Sequence, residues 1–326
     1  MQFSPALARI VAAAALIALA GTAAAQQAYP AKPIHFLVPY TPGGPMDILT
    51  RLVGQKLAES WSQPVIVENR PGGNTFIGMD ALAKSAPDGY TISIAASSLV
   101  LVPLLLPAPY DPIKDFAPVA TFARAEYVLL INPSVPANNL KELIVYAKSK
   151  PGQLNYAASG AGGPQQLGFE LLNLAAEIKT QYIPYKGASQ ALADLLAGQV
   201  QMYFSTIATA IPHIKSGKVK AIAISGSARS PALAQVPTFA EAGLAGLDGI
   251  GVWYGVIAPA GTPKVIIDKM SAEIGKFTAM PDFKEKLASQ GFNVFFSTSE
   301  PFAALLKADM AKNVRIIKAA NIKLDN

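Results

Sequence analysis

The sequence predicts an α/β fold built as two lobes with a ligand cleft between them. Three observations lead there. Apolar runs alternate with amphipathic helical stretches through most of the 326 residues, the pattern of parallel sheets covered by helices. Two Gly-Gly-Pro turns, Gly43-Gly44-Pro45 and Gly162-Gly163-Pro164, each join an extended run to a helical one. After Ser225 the pattern changes, as if the chain returns to an earlier lobe.

The elements follow in order. Ile34–Tyr40 is almost wholly apolar, as suits a strand buried on both faces. Pro45–Glu59 then places Ile48, Leu49, Leu52, Val53 and Leu57 on one helical face. Val65–Glu68 reads as a strand, Phe76–Lys84 as a helix, and Tyr90–Ala96 as a strand after the turn Pro87-Asp88-Gly89. Further strands are expected at Val128–Asn132, Leu154–Ala158, Tyr182–Pro184, Val200–Phe204 and Val219–Ser225. Helices are expected near Leu140–Lys148, Gln165–Ala176, Gln190–Ala197 and Ile207–Lys215. A loop-rich stretch precedes a strand at Gly251–Ala258, and three helices near Val265–Thr278, Asp282–Ser289 and Pro301–Ala319 complete the chain. The expected partition is residues 29–126 plus 226–326 in the first lobe and 127–225 in the second. Two chain crossings would form a hinge, and ligands favour the cleft between such lobes.

Residues 1–25 read as a cleavable signal peptide. Arg9 supplies positive charge, Ile10 to Ala20 is apolar, and Ala23-Ala24-Ala25 fits a small-residue cleavage site. The apolar run falls short of the roughly 20 residues of a spanning helix, and Leu99–Leu106 is short and broken by Pro103. A periplasmic location is therefore expected, with the exported chain starting near Gln26. Cysteine is absent, which removes thiol catalysis, cysteine-based zinc sites and disulfides. The formal charge of +6 falls to +5 without Arg9. Its lysines and arginines are scattered, with no basic run or aromatic ladder, so nucleic acid is not an expected partner.

Catalytic motifs are missing. His35 sits inside an apolar strand, where a hydrogen-bonded structural role fits, and His213 lies near a helix end at the surface. Neither belongs to a zinc-binding pair. Ser159 lies between a strand and a helix, as a nucleophile would, but the flanking glycine two residues earlier is absent. There is no dinucleotide or P-loop fingerprint after any strand. No enzyme activity, cofactor or metal is expected, and an exported hydrolase is the weaker alternative.

What remains is anion capture by backbone groups. Each Gly-Gly-Pro turn opens a helix whose first N–H groups lack intrahelical partners and whose dipole is positive there. Tyr40, Thr41, Pro42, Gly43 and Gly44 form the first candidate loop, followed by Met46 and Asp47. Asp47 reads first as an acceptor for N–H groups at the helix start, and second as a ligand contact. Ser159, Gly160, Ala161, Gly162 and Gly163 form the second loop. Ser97 and Ser98 end a strand, while Lys186, Gly187 and Ala188 precede a helix. Ser205, just past the strand Val200–Phe204, completes the candidate ligand-binding set. These turns follow predicted strand C-termini, the edge where open parallel sheets bind ligands.

The order YPAKPIHFLVPYTPGGPMDILTR, VIVENRPGG, PDGYT, YIPYKGASQALADLLAGQV, VPTFAEAG and APAGTP resembles the Bug family, the extracytoplasmic solute receptors of tripartite tricarboxylate transporters. The resemblance runs from Tyr29 almost to the C-terminus. It implies a type II-like periplasmic-binding-protein fold closing on a small di- or tricarboxylate, or an aromatic or aliphatic carboxylate. It also implies a monomer that docks transiently on a permease with large and small subunits, or that presents its ligand to a sensor kinase. By the same resemblance the loop Tyr40–Gly44 holds a carboxylate through main-chain groups, and the turns at Ser159–Gly163 and Lys186–Ser189 supply the second lobe's share. Three stretches depart from the family pattern. Met46 stands where a small hydroxyl residue is common, Gly73-Asn74-Thr75-Phe76 replaces a Gly/Ala run, and Gly163 and Gln166 replace Ser and His. Fewer hydroxyls and more apolar bulk would suit a ligand with a hydrocarbon or aromatic body.

Overall fold

The computed structural model describes residues 29–159, 163–185, 187–247 and 250–319. The first half begins with β1 (Ile34–Val38), α1 (Pro45–Trp61), β2 (Val65–Asn69), α2 (Phe76–Ala83), β3 (Thr91–Ala96) and the short α3 (Ser98–Leu101). A long strand, β4 (Phe116–Ile131), leads on to α4 (Leu140–Ser149), β5 (Asn155–Ser159), α5 (Pro164–Ala176), β6 (Gln181–Tyr185) and α6 (Ala188–Leu196). Then come β7 (Met202–Thr206), α7 (Ile207–Lys215), β8 (Lys220–Ile224) and β9 (Gly251–Pro259). The chain closes with α8 (Lys264–Ala279), α9 (Pro281–Ser289), β10 (Asn293–Ser297) and α10 (Ser299–Ala319).

Among the described residues ten strands join in the order β2-β1-β3-β9-β4-β7-β5-β6, with β8 and β10 also pairing with β4. The expected parallel pairing is found within each half: β1 with β2 and β3, and β5 with β6 and β7. The halves are joined by antiparallel strands, so the sheet is mixed. β4 pairs antiparallel with β9 over Phe116–Glu126, then with β7 over Tyr127–Ile131. Sixteen residues of strand span about 50 Å at ~3.3 Å per residue, enough to thread both halves. The sequence reading begins this strand at Val128, because Pro118, Arg124 and Glu126 break the apolar run before it. Irregular register near Pro118–Ala123 is how the strand accommodates that stretch.

Both faces of the sheet are covered. Leu129 and Ile131 enter one core with Tyr156, Phe169 and Phe204, whereas Val128 and Leu130 enter another with Leu192 and Tyr203. This is the period-2 alternation of a strand buried on both sides. In the first half, Phe36, Val38, Leu49 and Val53 pack with Phe277, and Leu37, Met79 and Leu82 pack with Phe302 on the other face. On α1 the inward face carries Met46, Leu49, Val53 and Leu57, while Ile48 is exposed.

After β8 the chain does not return at once to the first half. Leu233 and Val236 pack in one core of the second half, and Phe239, Leu247 and Ile250 in the other. The return comes at Gly251, paired with Glu126. A Cβ there would lie 2.5 Å from the Ala125 carbonyl oxygen, so only glycine lets the two crossing strands run this close. No helix among the described residues is long and apolar enough to cross a membrane.

Candidate functional site

Because β1 and β3 run parallel in one sheet, the loops after them leave the same edge; β5, β6 and β7 do the same in the second half. The first loop is fixed by side chains behind it. The Tyr40 hydroxyl and Ser98 Oγ lie 2.6 Å apart, and Asn69 Nδ2 donates to the Tyr40 carbonyl at 3.1 Å. Ahead of α1, Thr41, Pro42 and Gly43 are exposed. Gly43 has φ +79°, in the left-handed region that glycine enters at little cost. Gly44 is the N-cap of α1, with no side chain capping the helix and Pro45 following it. The helix start therefore presents main-chain N–H groups at a positive dipole end.

Asp47 is 4 % exposed, and its carboxylate is committed to the protein. It accepts from the Gly43 N–H at 3.0 Å, from Arg51 Nε at 3.0 Å and from Asn69 Nδ2 at 3.0 Å. The Arg51 bond, followed by those from Gly43 and Asn69, holds its pKa below the usual carboxylate value against the opposing effect of burial. Asp47 thus acts as the acceptor at the helix start, and it takes up the Gly43 amide that the sequence reading offers to a ligand. Met46 is 6 % exposed and belongs to the first core with Val38 and Leu49; it is packing, not an open wall. Phe76 is half-buried against the other core of that half.

In the second half, Ser159 ends β5 opposite Tyr185, Gly163 is the N-cap of α5 with no side-chain cap, and Gly187 precedes Ala188 at the start of α6. Gly160, Ala161, Gly162 and Lys186 lie outside the described residues. Ser205 is fully buried, and its Oγ donates to the Thr206 carbonyl at 3.1 Å. Its hydroxyl is thus engaged within β7. Ser97 precedes α3 and is also buried.

Buried tyrosines on different strands, Tyr127, Tyr203 and Tyr254, stand around the junction of the halves, and sequence reasoning misses them. Burial raises Tyr127 well above the ordinary phenol range, and Tyr254, Tyr203 and Tyr40 each add to the rise. Tyr254 is raised by burial and by Tyr40. Tyr203 is raised by burial, while a hydrogen bond with Gln165 opposes this. Gln165, in the first turn of α5, also donates to the Phe204 carbonyl at 2.6 Å. Tyr40, three residues before Gly43, and Gln165, the residue after the second Gly-Gly-Pro turn, therefore each act on tyrosines of the strands that join the halves. In the sequence these tyrosines look like ordinary strand residues, since nothing local says that β4 and β9 cross there.

At the crossing, Arg124 and Glu126 pair at 2.8 Å. Burial raises the Glu126 pKa, outweighing the lowering effect of Arg124. Gly226 lies against this carboxylate: a Cβ there would sit 2.7 Å from Glu126 Oε2. His35 lies within β1 and is hydrogen-bonded, as expected, with an exposed side chain that meets Glu68 on β2. Among the described residues, no group of three or more His, Cys, Asp or Glu is placed to hold a metal ion.

Comparison with known proteins adds three kinds of finding. The family model described as tripartite tricarboxylate transporter family receptor matches residues 49–322. The chain is 35 % identical over 314 residues to the UPF0065 protein in the tcbD-tcbE intergenic region of Pseudomonas sp. (strain P51), covering 95 % of this chain and 93 % of the relative. It is 34 % identical over 313 residues to protein BugT of Bordetella pertussis, covering 94 % and 96 %. Among solved structures, one of a periplasmic transporter is 38 % identical with a TM-score of 0.79, covering 91 % of this chain and all of that one. Rpa4515 of R. palustris with adipate is 30 % identical with a TM-score of 0.79, covering 90 % and 99 %. MatC (Rpa3494) from Rhodopseudomonas palustris with bound malate is 30 % identical with a TM-score of 0.72, covering 89 % and 100 %.

Proposed function

The chain belongs to the tripartite tricarboxylate transporter receptor family, which includes the Bug proteins, and from that premise we propose that it captures a small carboxylate for a membrane transporter of the tripartite type. Export by cleavage near Ala25, a monomeric state and transient docking on the permease belong to the same proposal. The observation that carries it is that both Gly-Gly-Pro turns stand at helix starts without side-chain caps, each following the end of a parallel strand. Two positive helix ends, one from each half, would offer a receptacle for negative charge at both ends of a short acid. Structures of relatives with adipate and with malate support the ligand class.

The mechanism is binding followed by closure, with no bond made or broken. One carboxylate is held by N–H groups at the start of α1, around Gly44, and the far end of the acid by the turn before α5 and the start of α6. Each charge-assisted bond is worth about 1.5–3 kcal/mol. An acid that touches both lobes binds the closed arrangement better than the open one, and that difference drives closure. The lobes in this proposal divide at Glu126 and Tyr127 within β4, and again near residues 226 to 250. Asp47, Arg51 and Asn69 position the first loop from behind, so α1 contributes backbone rather than a charged side chain. Because Met46 is packed in the core, the argument for an apolar ligand body loses one of its supports.

A thermal-shift screen with citrate, malate, adipate and benzoate tests the proposal. At a concentration of 100 times its Kd, a ligand of the native state adds about 2.7 kcal/mol of stability. At least one acid is expected to raise the unfolding midpoint. No shift with any of them at millimolar concentration contradicts the reading.

A further inference from the structure

A cavity of about 240 Å³ lies where α3, α5 and α10 meet. The first loop and the start of α6 do not line it, whereas Ser97, expected among the cleft residues, and Pro164, the last residue of the second Gly-Gly-Pro turn, do. Its walls come from both halves of the molecule: Leu101 on α3, Leu167 on α5 and Ile316 on α10 form an apolar cluster of their own. Leu171 extends this wall one turn further along α5. The α5 positions at the cavity are 164, 167, 168 and 171, one helix face by spacing. Gln165, which bonds to Tyr203, is off that face.

Polar groups interrupt the apolar lining. Ser97 is 5 % exposed, lines the cavity, and its Oγ is buried without a hydrogen-bond partner. Such an orphan is uncommon in a folded protein and calls for a reason. Asn313, also 5 % exposed, and Arg315 line the cavity from α10. Asp309 and Lys312 face it too. The Asp309 carboxylate, however, accepts from Trp253 Nε1 at 3.0 Å and pairs with Lys312 at 2.6 Å. Among the described residues Arg315 has no acidic partner, so one positive charge remains in excess.

We propose that this cavity is a further ligand site, adjoining the carboxylate cleft, for a short amphipathic monoanion with a hydrogen-bonding group at its far end. Arg315 and Asn313 hold the carboxylate, the leucine and isoleucine walls cover a short hydrocarbon chain, and Ser97 meets the far polar group. The cavity far exceeds the roughly 10–15 Å³ that a single water needs, yet falls below the ~300–1,000 Å³ of pockets for larger ligands. A chain of about six carbons is the matching size. Because both halves contribute walls, occupancy couples to their relative position. The inference does not depend on what the cleft binds.

Calorimetry with 6-hydroxyhexanoate and hexanoate on the whole protein tests it. One saturable site is expected, about fivefold tighter for the hydroxy acid. Arg315→Gln, at an exposed position that does not endanger folding, should weaken binding about tenfold. Ser97→Ala should erase the preference for the hydroxy acid, and Gly44→Phe in the cleft should leave binding unchanged. The proposal is overturned if neither acid binds at millimolar concentration. It is equally overturned if binding survives Arg315→Gln but is lost in Gly44→Phe, because the acid then occupies the cleft.

Discussion

The Tyr40 hydroxyl and the Ser98 Oγ lie 2.6 Å apart, and this contact ties the loop after β1 to the loop after β3. Tyr40 therefore sets the first candidate anion loop relative to the rest of the sheet edge. Tyr40→Phe keeps the ring and removes the bond. It should cost about 1 kcal/mol of stability in urea denaturation and weaken acid binding about fivefold, the equivalent of ~1 kcal/mol. Unchanged stability and affinity would remove this contact from the account.

Asp47 positions the loop through the Gly43 amide, Arg51 and Asn69. Asp47→Ala should destabilise the protein by about 1–3 kcal/mol, because those donors lose a buried acceptor. The pH sign follows from its lowered pKa. Its contribution is full above the unfolded carboxylate value and is lost as pH falls through the folded one. The gap between wild type and Asp47→Ala should therefore narrow in acid. A gap that widens below pH 4 contradicts this role.

Glu126 behaves in the opposite way. Burial raises its pKa above the ordinary 4.5, with Arg124 opposing. The fold prefers the protonated form, a contribution that is full below the unfolded value and lost as pH rises through the folded one. Glu126→Gln should therefore be more stable than wild type at pH 7.5 and equal to it near pH 3.5, by urea midpoints. A destabilised variant at neutral pH would mean that the Arg124 pairing outweighs desolvation.

Neighbouring glycines of the first turn should respond differently. Gly43 has φ +79°, so Gly43→Ala should cost about 1 kcal/mol even though space around it is open. Gly44 is extended, with its nearest neighbour, the Thr41 carbonyl oxygen, 3.7 Å from a built Cβ. Gly44→Phe should fold normally and lose acid binding by at least tenfold. Calorimetry together with a denaturation curve separates the two effects.

Much of this was legible from periodicity and turn chemistry. The helix of Pro45–Trp61 and that of Pro164–Ala176 carry Gly-Gly-Pro starts in the sequence, and both begin at the proline. The antiparallel joining of the halves was not legible, because it depends on β4, whose Phe116–Tyr127 segment mixes proline and charge with apolar residues. Nor was β10, Asn293–Ser297, read as a strand, since it is an edge segment pairing only with β4. Within the candidate site, spacing placed Asp47 at a helix start but did not reveal that it would take the Gly43 amide. Tyr127, Tyr203 and Tyr254 are brought to the junction of the halves by long-range strand pairing, which leaves no local trace.

The central claim is that main-chain amides at two turns, rather than charged side chains, hold an acid between the lobes. The most direct measurement is a 15N–1H correlation spectrum of the protein, titrated with whichever acid gives the largest thermal shift. The amides of Gly44 and Gly163 should move downfield together, saturating at the same ligand concentration. Saturable binding that leaves both signals in place contradicts the claim.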